Sequence, residues 1–396
     1  MEAWKNLNPD VVFVKVAPTY VAAKQMRGGI TCQAAVQRNV HNRFQVQVMV
    51  VDEVSMVSTN LLERMARWSI MGLKFVLLGD FSQLLPVGVD GNTRWRVEDS
   101  RTFMKLAGHL RIVLNQNRRA AADPKHFKRI MALRPMVDEP LDHIVPAFMQ
   151  HYPWTGPVTQ PIAYYICLSH RTRMRINRWQ NVLEMNRQDR VLLVPSYGFQ
   201  KGCSSQPQDM WIWPGLHLIG GGRTSRNVLN GVVYIVVNFT DEAITVKTHP
   251  DFTTDPEATI ELPIREAAEN LRLCYAAVYH SCQGRTLHNQ HIMLMDTHHV
   301  HFTGRHLYVG ASRVTEGQYL HIATRYITRW INDQIHQRVD NEDVEEPDVD
   351  ALCGVMGEEA LGRLAGPVDG DHHYDPTAVG GYTLGDWTSD DEHDAE

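Results

Sequence analysis

The stretch from Val46 to Val87, VQVMVVDEVSMVSTNLLERMARWSIMGLKFVLLGDFSQLLPV, limits the fold more than any other part of the chain. An apolar run (Val46, Val48 to Val51) ends in the carboxylate pair Asp52 and Glu53, and a second run (Leu73, Phe75 to Leu78) ends in Gly79 and Asp80. Runs this apolar and this short read as parallel strands buried on both faces. Between them the spacing predicts a helix, with Asn60 as its cap, Glu63 three residues on, and Leu61, Leu62, Met65 and Trp68 along one side. Strand, helix and parallel strand make one right-handed crossover.

In such sheets the ligand crevice lies outside the carboxyl ends of the strands, which is where Asp52, Glu53, Asp80 and Gln83 fall. Acid beside a phosphate site has a direct use. Asp52 is a candidate holder of the magnesium of a bound nucleotide, because that hard cation takes oxygen ligands. Glu53 is a candidate base for an attacking water. The Gln83 amide can donate to a terminal phosphate and accept from that water. Alone, Asp-Glu after a strand is as easily a polar strand end.

Taken together, DEVSM and LLGDFSQLLPV resemble motifs II and III of the RecD and PIF group of superfamily 1 DNA helicases. That family couples ATP hydrolysis to 5′ to 3′ movement along single-stranded DNA. The likeness runs from about residue 11 to 325 in the family's motif order. APTYVAAKQMRGGIT resembles motif Ia, which implies that Pro18 and Thr19 lie along the DNA; Thr19 reads equally well as a helix cap. Cys32 and Gln33 stand where the family usually has an apolar residue and a His. LNQNRR stands in the place of motif IV and favours Arg119, with Arg118 beside it, as the arginine that reaches a γ-phosphate.

YHSCQGRTL resembles motif V, in which Gln283, Gly284 and Thr286 touch nucleotide and DNA and His280 faces the strand. Tyr279 and Ser281 replace the Thr and Lys often found beside that His. HLYVGASRVTEG resembles motif VI, with Arg313 as the arginine finger. The glycine-rich loop GxxGxGK[ST], which in the family precedes motif Ia, has no counterpart in the sequence. The resemblance therefore implies two RecA-like parallel-sheet domains of the P-loop NTPase fold, the first N-terminally truncated, with a small β-barrel insertion in the second. The expected boundaries are 1–134 for the first domain, 135–199 with 266–338 for the second, 200–265 for the insertion and 339–396 for a disordered tail.

Within that frame, Pro135 to Pro161 reads as an irregular, proline-rich crossing, and Phe127, Ile130, Met131 and Leu133 as one side of an amphipathic helix. Arg171, Arg173, Arg175 and Arg178 form a basic helix face that either lines a DNA channel or is simply solvated. Alternating apolar residues and an Asn230–Gly231 turn give hairpin signals. Trp211 and Trp213 are base-stacking candidates, with packing the favoured reading. His298, His299, His301 and His306 lack the Cys or acid partners that make a metal motif.

Charge divides the chain sharply. Residues 340–396 hold eighteen acidic residues and one basic, a balance of −17, while residues 1–339 carry +11. A cationic body suits a phosphate backbone. The six cysteines form no CxxC pair, which argues for a reducing compartment and against a disulfide framework or zinc. No run is long enough to cross a bilayer, so the expectation is a soluble, intracellular protein, in nucleus or cytoplasm, with no membrane contact. The expected activity is an ATP-dependent DNA helicase of replication, repair or recombination, using ATP and Mg2+ on single-stranded or forked DNA beside replication or repair proteins. The alternative is a helicase-derived protein that binds nucleic acid without turnover.

The acidic tail should compete with DNA for the cationic body. Deleting residues 340–396 is expected to tighten binding to a single-stranded oligonucleotide at low salt, measured by fluorescence anisotropy; an unchanged Kd discards the idea.

Overall fold

The computed structural model describes residues 10–26, 28–40, 45–86, 98, 100–114, 119, 121–152, 162–198, 205–221, 227–253 and 255–337. The acidic tail and Arg118 lie outside them. The chain forms two compact units, one of residues 1–162 and 279–323, the other of 163–278 and 324–396.

The first unit is built on a sheet of four parallel strands, β1 (Phe13–Ala17), β2 (Ile30–Thr31), β3 (Val48–Val51) and β4 (Lys74–Leu77), in the order β2-β1-β3-β4. The register aligns the strand ends: Val16 pairs with Val51, and Val51 with Leu77. The residues that follow the three strands, beginning at Pro18, Asp52 and Leu78, therefore leave the sheet along one edge. The crossover helix Thr59–Ile70 buries Leu62, Met65 and Trp68 against Val16, Met49, Val51 and Val54. Its cap is Ser58 and not Asn60: Ser58 is extended, and its hydroxyl accepts from the Leu61 amide at 3.4 Å. Asn60 is already the second residue of the helix, inside the first turn, so it cannot serve as the flanking cap.

Of the stretch Pro135 to Pro161, the described part up to Tyr152 is not irregular, and residues 153–161 lie outside the described residues. A 3-10 turn over Arg134–Met136 leads into a helix, Leu141–Met149, which closes despite Pro146 because Ile144, Val145 and Phe148 bury their side chains. In the helix Pro124–Leu133, Ile130 and Leu133 are buried, as the apolar periodicity predicts.

In the second unit, β5 (Tyr164–Cys167) pairs in parallel with β13 (Ala276–Val278). The long helix His170–Met185 packs over them. Asn177 on that helix is buried and accepts from the Tyr275 and Ala276 amides at 3.0 and 2.8 Å, so it holds β13. Arg173 corrects the expected basic face: it is buried, donating to Ser205 at 2.9 Å, while Arg171 on the same helix is exposed. A short antiparallel pair joins β6 (Leu192–Val194) to β7 (Met210–Ile212). An antiparallel sheet then takes the order β11-β10-β9-β8-β12. Its members are β8 (His217–Gly220), β9 (Val233–Phe239), β10 (Ala243–Thr248), β11 (Thr259–Pro263) and β12 (Leu271–Leu273). Trp213 is buried and acts in packing, while Trp211 is half-buried in β7 with its backbone held by Asn181.

Back in the first unit, β14 (Ile292–Leu294) and β15 (Leu320–Ile322) pair in parallel. Between them runs the helix Gly304–Ala311. The α/β architecture, with parallel sheets and added antiparallel ones, is the one the sequence predicts.

Met65 is fully buried beneath the first sheet. Met65→Ala should cost about 2–5 kcal/mol by urea denaturation, the usual cost of a large core truncation; a loss under about 1 kcal/mol would mean the crossover helix does not seal this core.

Candidate active site

The carboxyl edge of the first sheet carries the two acids. Asp52 is still held by the ladder, its amide donating to Val16 O at 2.8 Å. Glu53 then adopts the left-handed region, with φ 48° and ψ 42°, and its amide donates to Asp52 Oδ1 at 3.0 Å. The Val54 amide returns to Leu78 O at 2.9 Å, closing the turn over β4. Gly79 is required by this closure: a Cβ there would lie 2.9 Å from Val54 Cγ1 and 3.1 Å from the Val54 nitrogen.

Burial pushes both carboxyls above the ordinary range. For Glu53 the Arg313 guanidinium opposes that rise first, Asp52 adds to it, and Arg119 opposes it again. These groups thus share one electrostatic neighbourhood, although Arg313 lies 260 positions after Glu53. Arg313 is 1% exposed. It donates through Nε to Val309 O at 2.9 Å, through Nη1 to the Cys282 and Arg285 carbonyls at 3.2 and 3.0 Å, and through Nη2 to Ser312 Oγ at 2.7 Å. Burial, and then the charge of Arg119, bring its pKa down to about 10. Arg119 itself donates to Ser312 O at 3.0 Å.

Two amide oxygens here are buried without a hydrogen-bond partner, Gln83 Oε1 and Gln283 Oε1. They belong together: Gln283 Nε2 donates to Leu84 O, the residue after Gln83, at 3.3 Å. A buried acceptor left open asks for a donor, such as a bound water or a ligand hydroxyl. Gly284 comes next, at φ +77°, and a Cβ built there would be 3.8 Å from Glu53 Oε1. Asp80 differs from its neighbours because its oxygens are used within the protein. Oδ2 accepts from Tyr308 at 2.6 Å, while Oδ1 accepts from the Ser82 amide at 3.1 Å and faces Arg134 at 3.6 Å.

The remaining sequence candidates divide in two. Pro18 and Thr19 leave β1 on the same edge as Asp52, with Thr19 capping the helix Tyr20–Gln25 by accepting from the Ala22 amide at 3.3 Å. His280 and Thr286 flank the Gln283 turn and are half-buried. Burial pushes the His280 imidazole below its ordinary range. His306, from the histidine-rich stretch, is a structural residue: Nδ1 meets Thr303 Oγ1 at 2.8 Å and its ring stacks on Phe302. Its pKa falls to about 3, through burial and then His280, so it stays neutral. Among the described residues no cluster of His, Cys, Asp or Glu is placed to hold a metal in the manner of a zinc site. The hard oxygen donors of Asp52 and Glu53 at a strand end do fit magnesium, usually through its water shell.

Sequence reasoning missed Arg305, Tyr308 and Asp138. The first two lie three apart on one helix, a spacing that places them on one face and was readable in GRHLYVGA.

The carboxyl edge of the first parallel sheet thus gathers two acids, two amides and two arginines into one electrostatic neighbourhood. Residues 1–133 match the model of the AAA domain family. No curated protein matches the chain in sequence. Among solved structures, Bacteroides Pif1 bound to ssDNA superposes with a TM-score of 0.56 at 15% identity, over 91% of this chain and 90% of that one. Pif1 helicase from Candida albicans gives 0.53 at 16% identity, over 84% and 91%. Pif1 helicase from Bacteroides in complex with ADP-AlF3 and ssDNA gives 0.50 at 18%, over 90% and 88%. The chain has the Pif1-like fold. Among the described residues no helix is long and apolar enough to cross a membrane.

The raised pKa of Glu53 has a sign that can be checked. A carboxyl whose folded pKa exceeds its unfolded value contributes stability below the unfolded pKa, and loses that contribution as pH rises through the folded pKa. Glu53→Gln should therefore raise Tm at pH 7, and the gain should vanish near pH 4, about the unfolded glutamate pKa. A variant less stable than the parent at pH 7 would contradict the buried setting of this carboxyl.

Proposed function

We propose that this chain is the motor of an ATP-dependent DNA helicase that moves 5′ to 3′ along single-stranded DNA, with ATP and Mg2+ as cofactors. One observation carries the reading: Glu53, Arg313 and Arg119 act on one another's charge beside two open amide oxygens. Asp52 holds the magnesium, which when bound neutralises phosphate charge and orients the terminal group. Glu53 takes the proton of the attacking water, and its raised pKa suits a base. The open oxygens of Gln83 and Gln283 accept from that water and so report its presence. Arg119 and Arg313 balance negative charge that grows during transfer. Pro18, Thr19, His280 and Thr286 contact the DNA. Relatives of this fold crystallised with ssDNA and with ADP-AlF3 support both ligands. Single-stranded or forked DNA, met during replication, repair or recombination, is the substrate.

A second reading, binding of single-stranded nucleic acid without turnover, draws on one fact: four donor contacts of Arg313 go to the protein itself.

The two readings separate in a DNA-stimulated ATPase assay with a Glu53→Gln control. The motor reading expects single-stranded DNA to stimulate hydrolysis, and Glu53→Gln to lower kcat by about 100-fold or more, within the range for loss of a general base. Stimulation absent in this chain, and absent again after fusion of an upstream phosphate-loop segment, would leave the binding reading.

A further inference from the structure

We propose that Arg305 is a positioning residue that sets the place of Gln83 by latching the turn Asp80–Gln83 to two other segments of the first unit. The inference rests on the hydrolytic reading of the Glu53 site for its kinetic arm, and on geometry alone for its structural one.

All three guanidinium nitrogens are engaged. Nε and Nη2 reach the two oxygens of Asp138 at 2.8 and 2.9 Å, a two-pronged ion pair, and Nη1 donates to Phe81 O at 2.5 Å and Gln83 O at 2.9 Å. One planar fork thus joins the helix Gly304–Ala311, the turn 81–83 and the segment at 138. Tyr308, one turn further along the same helix, donates to Asp80 Oδ2 at 2.6 Å. The turn is tied at both ends to one helix face, and only two residues separate Arg305 from Tyr308.

Gly304 makes the reach possible. A Cβ there would sit 2.7 Å from Val137 O and 2.9 Å from Val137 Cα, so only glycine lets the helix start this close to Asp138. The turn's internal bonds are few, Gln83 N to Asp80 O and Ser82 N to Asp80 Oδ1, both at 3.1 Å. External ties therefore decide where the Gln83 side chain stands. Its open Oε1 is the atom whose placement matters, since a misplacement of about 1 Å at a reacting centre can cost about 100-fold in rate. Lysine cannot replace the fork, because a single ammonium lacks its fixed set of donors.

The test uses the full chain carrying Arg305→Gln, Arg305→Lys or Asp138→Asn. Asp138 is the more exposed partner, at 52% against 15% for Arg305, and an asparagine keeps one oxygen to accept from the guanidinium, so the last variant is the mildest of the three. Deuterium exchange followed by mass spectrometry is expected to speed up at residues 79–86 in all three, least in Asp138→Asn, with β1 and β3 unchanged. ATP turnover should lose about 10–100-fold in kcat for Arg305→Gln, with KM for ATP within about 3-fold, the signature of a group felt in the transition state. Unchanged exchange at 79–86 overturns the latch. So does a matched collapse of kcat, KM and Tm, which marks a plain structural residue. If neither the unaltered chain nor its fusion to an upstream phosphate-loop segment hydrolyses ATP but exchange still rises, the hydrolytic reading fails and the latch stands.

Discussion

Everything at the candidate site depends on the parallel register of β1, β3 and β4. Because Val16, Val51 and Leu77 stand side by side, three strands run out together, and polar residues from distant parts of the sequence emerge on one line. The packing beneath keeps that line straight. Val16, Met49, Val51, Leu62 and Met65 share one buried cluster, and each such side chain is worth about 1.5–3 kcal/mol on burial. The apolar runs and the acids at their ends are therefore one device, in which the strands supply rigidity and their tips supply chemistry.

Charge is handled at this edge by distributing it over carbonyls. Arg313 is taken almost wholly out of water, which would be prohibitive for a bare cation, and is met by three main-chain oxygens and a hydroxyl. Arg305 obeys the same rule with a carboxylate added. Both arginines bind backbone, so each fixes loops as well as charge. The helix Gly304–Ala311 carries one and leads directly into the other, and its buried face is nearly continuous from His306 to Ala311.

The sequence displayed the fold well where pattern and chemistry coincide. Apolar runs ending in acid marked β3 and β4, and the motifs marked Gln283, Gly284 and Arg313 as partners of a region more than 200 positions earlier. It displayed less where a contact depends on a three-dimensional approach. Nothing in the spelling of Asp138 announces that Arg305 will reach it, since the pair is 167 positions apart and depends on a glycine whose purpose is only visible in space. Helix Leu141–Met149 is obscured by Pro146 within it and Pro140 at its cap, although its buried Ile144, Val145 and Phe148 outweigh them. Arg173 misled for the opposite reason: basic residues at close spacing suggest a solvated face, and one of the four turns inward to a serine hydroxyl.

The left-handed backbone of Glu53 has a consequence for how this chain would change under selection. A side chain at φ 48° costs about 1–2 kcal/mol that glycine would not incur, and its carboxyl is disfavoured again by burial. Both penalties fall on the same residue. A library sorted only for heat resistance or expression would drift toward glycine or asparagine at this position, shedding the acid while improving the scaffold. Glutamate persisting there under such pressure would signal that something other than folding retains it.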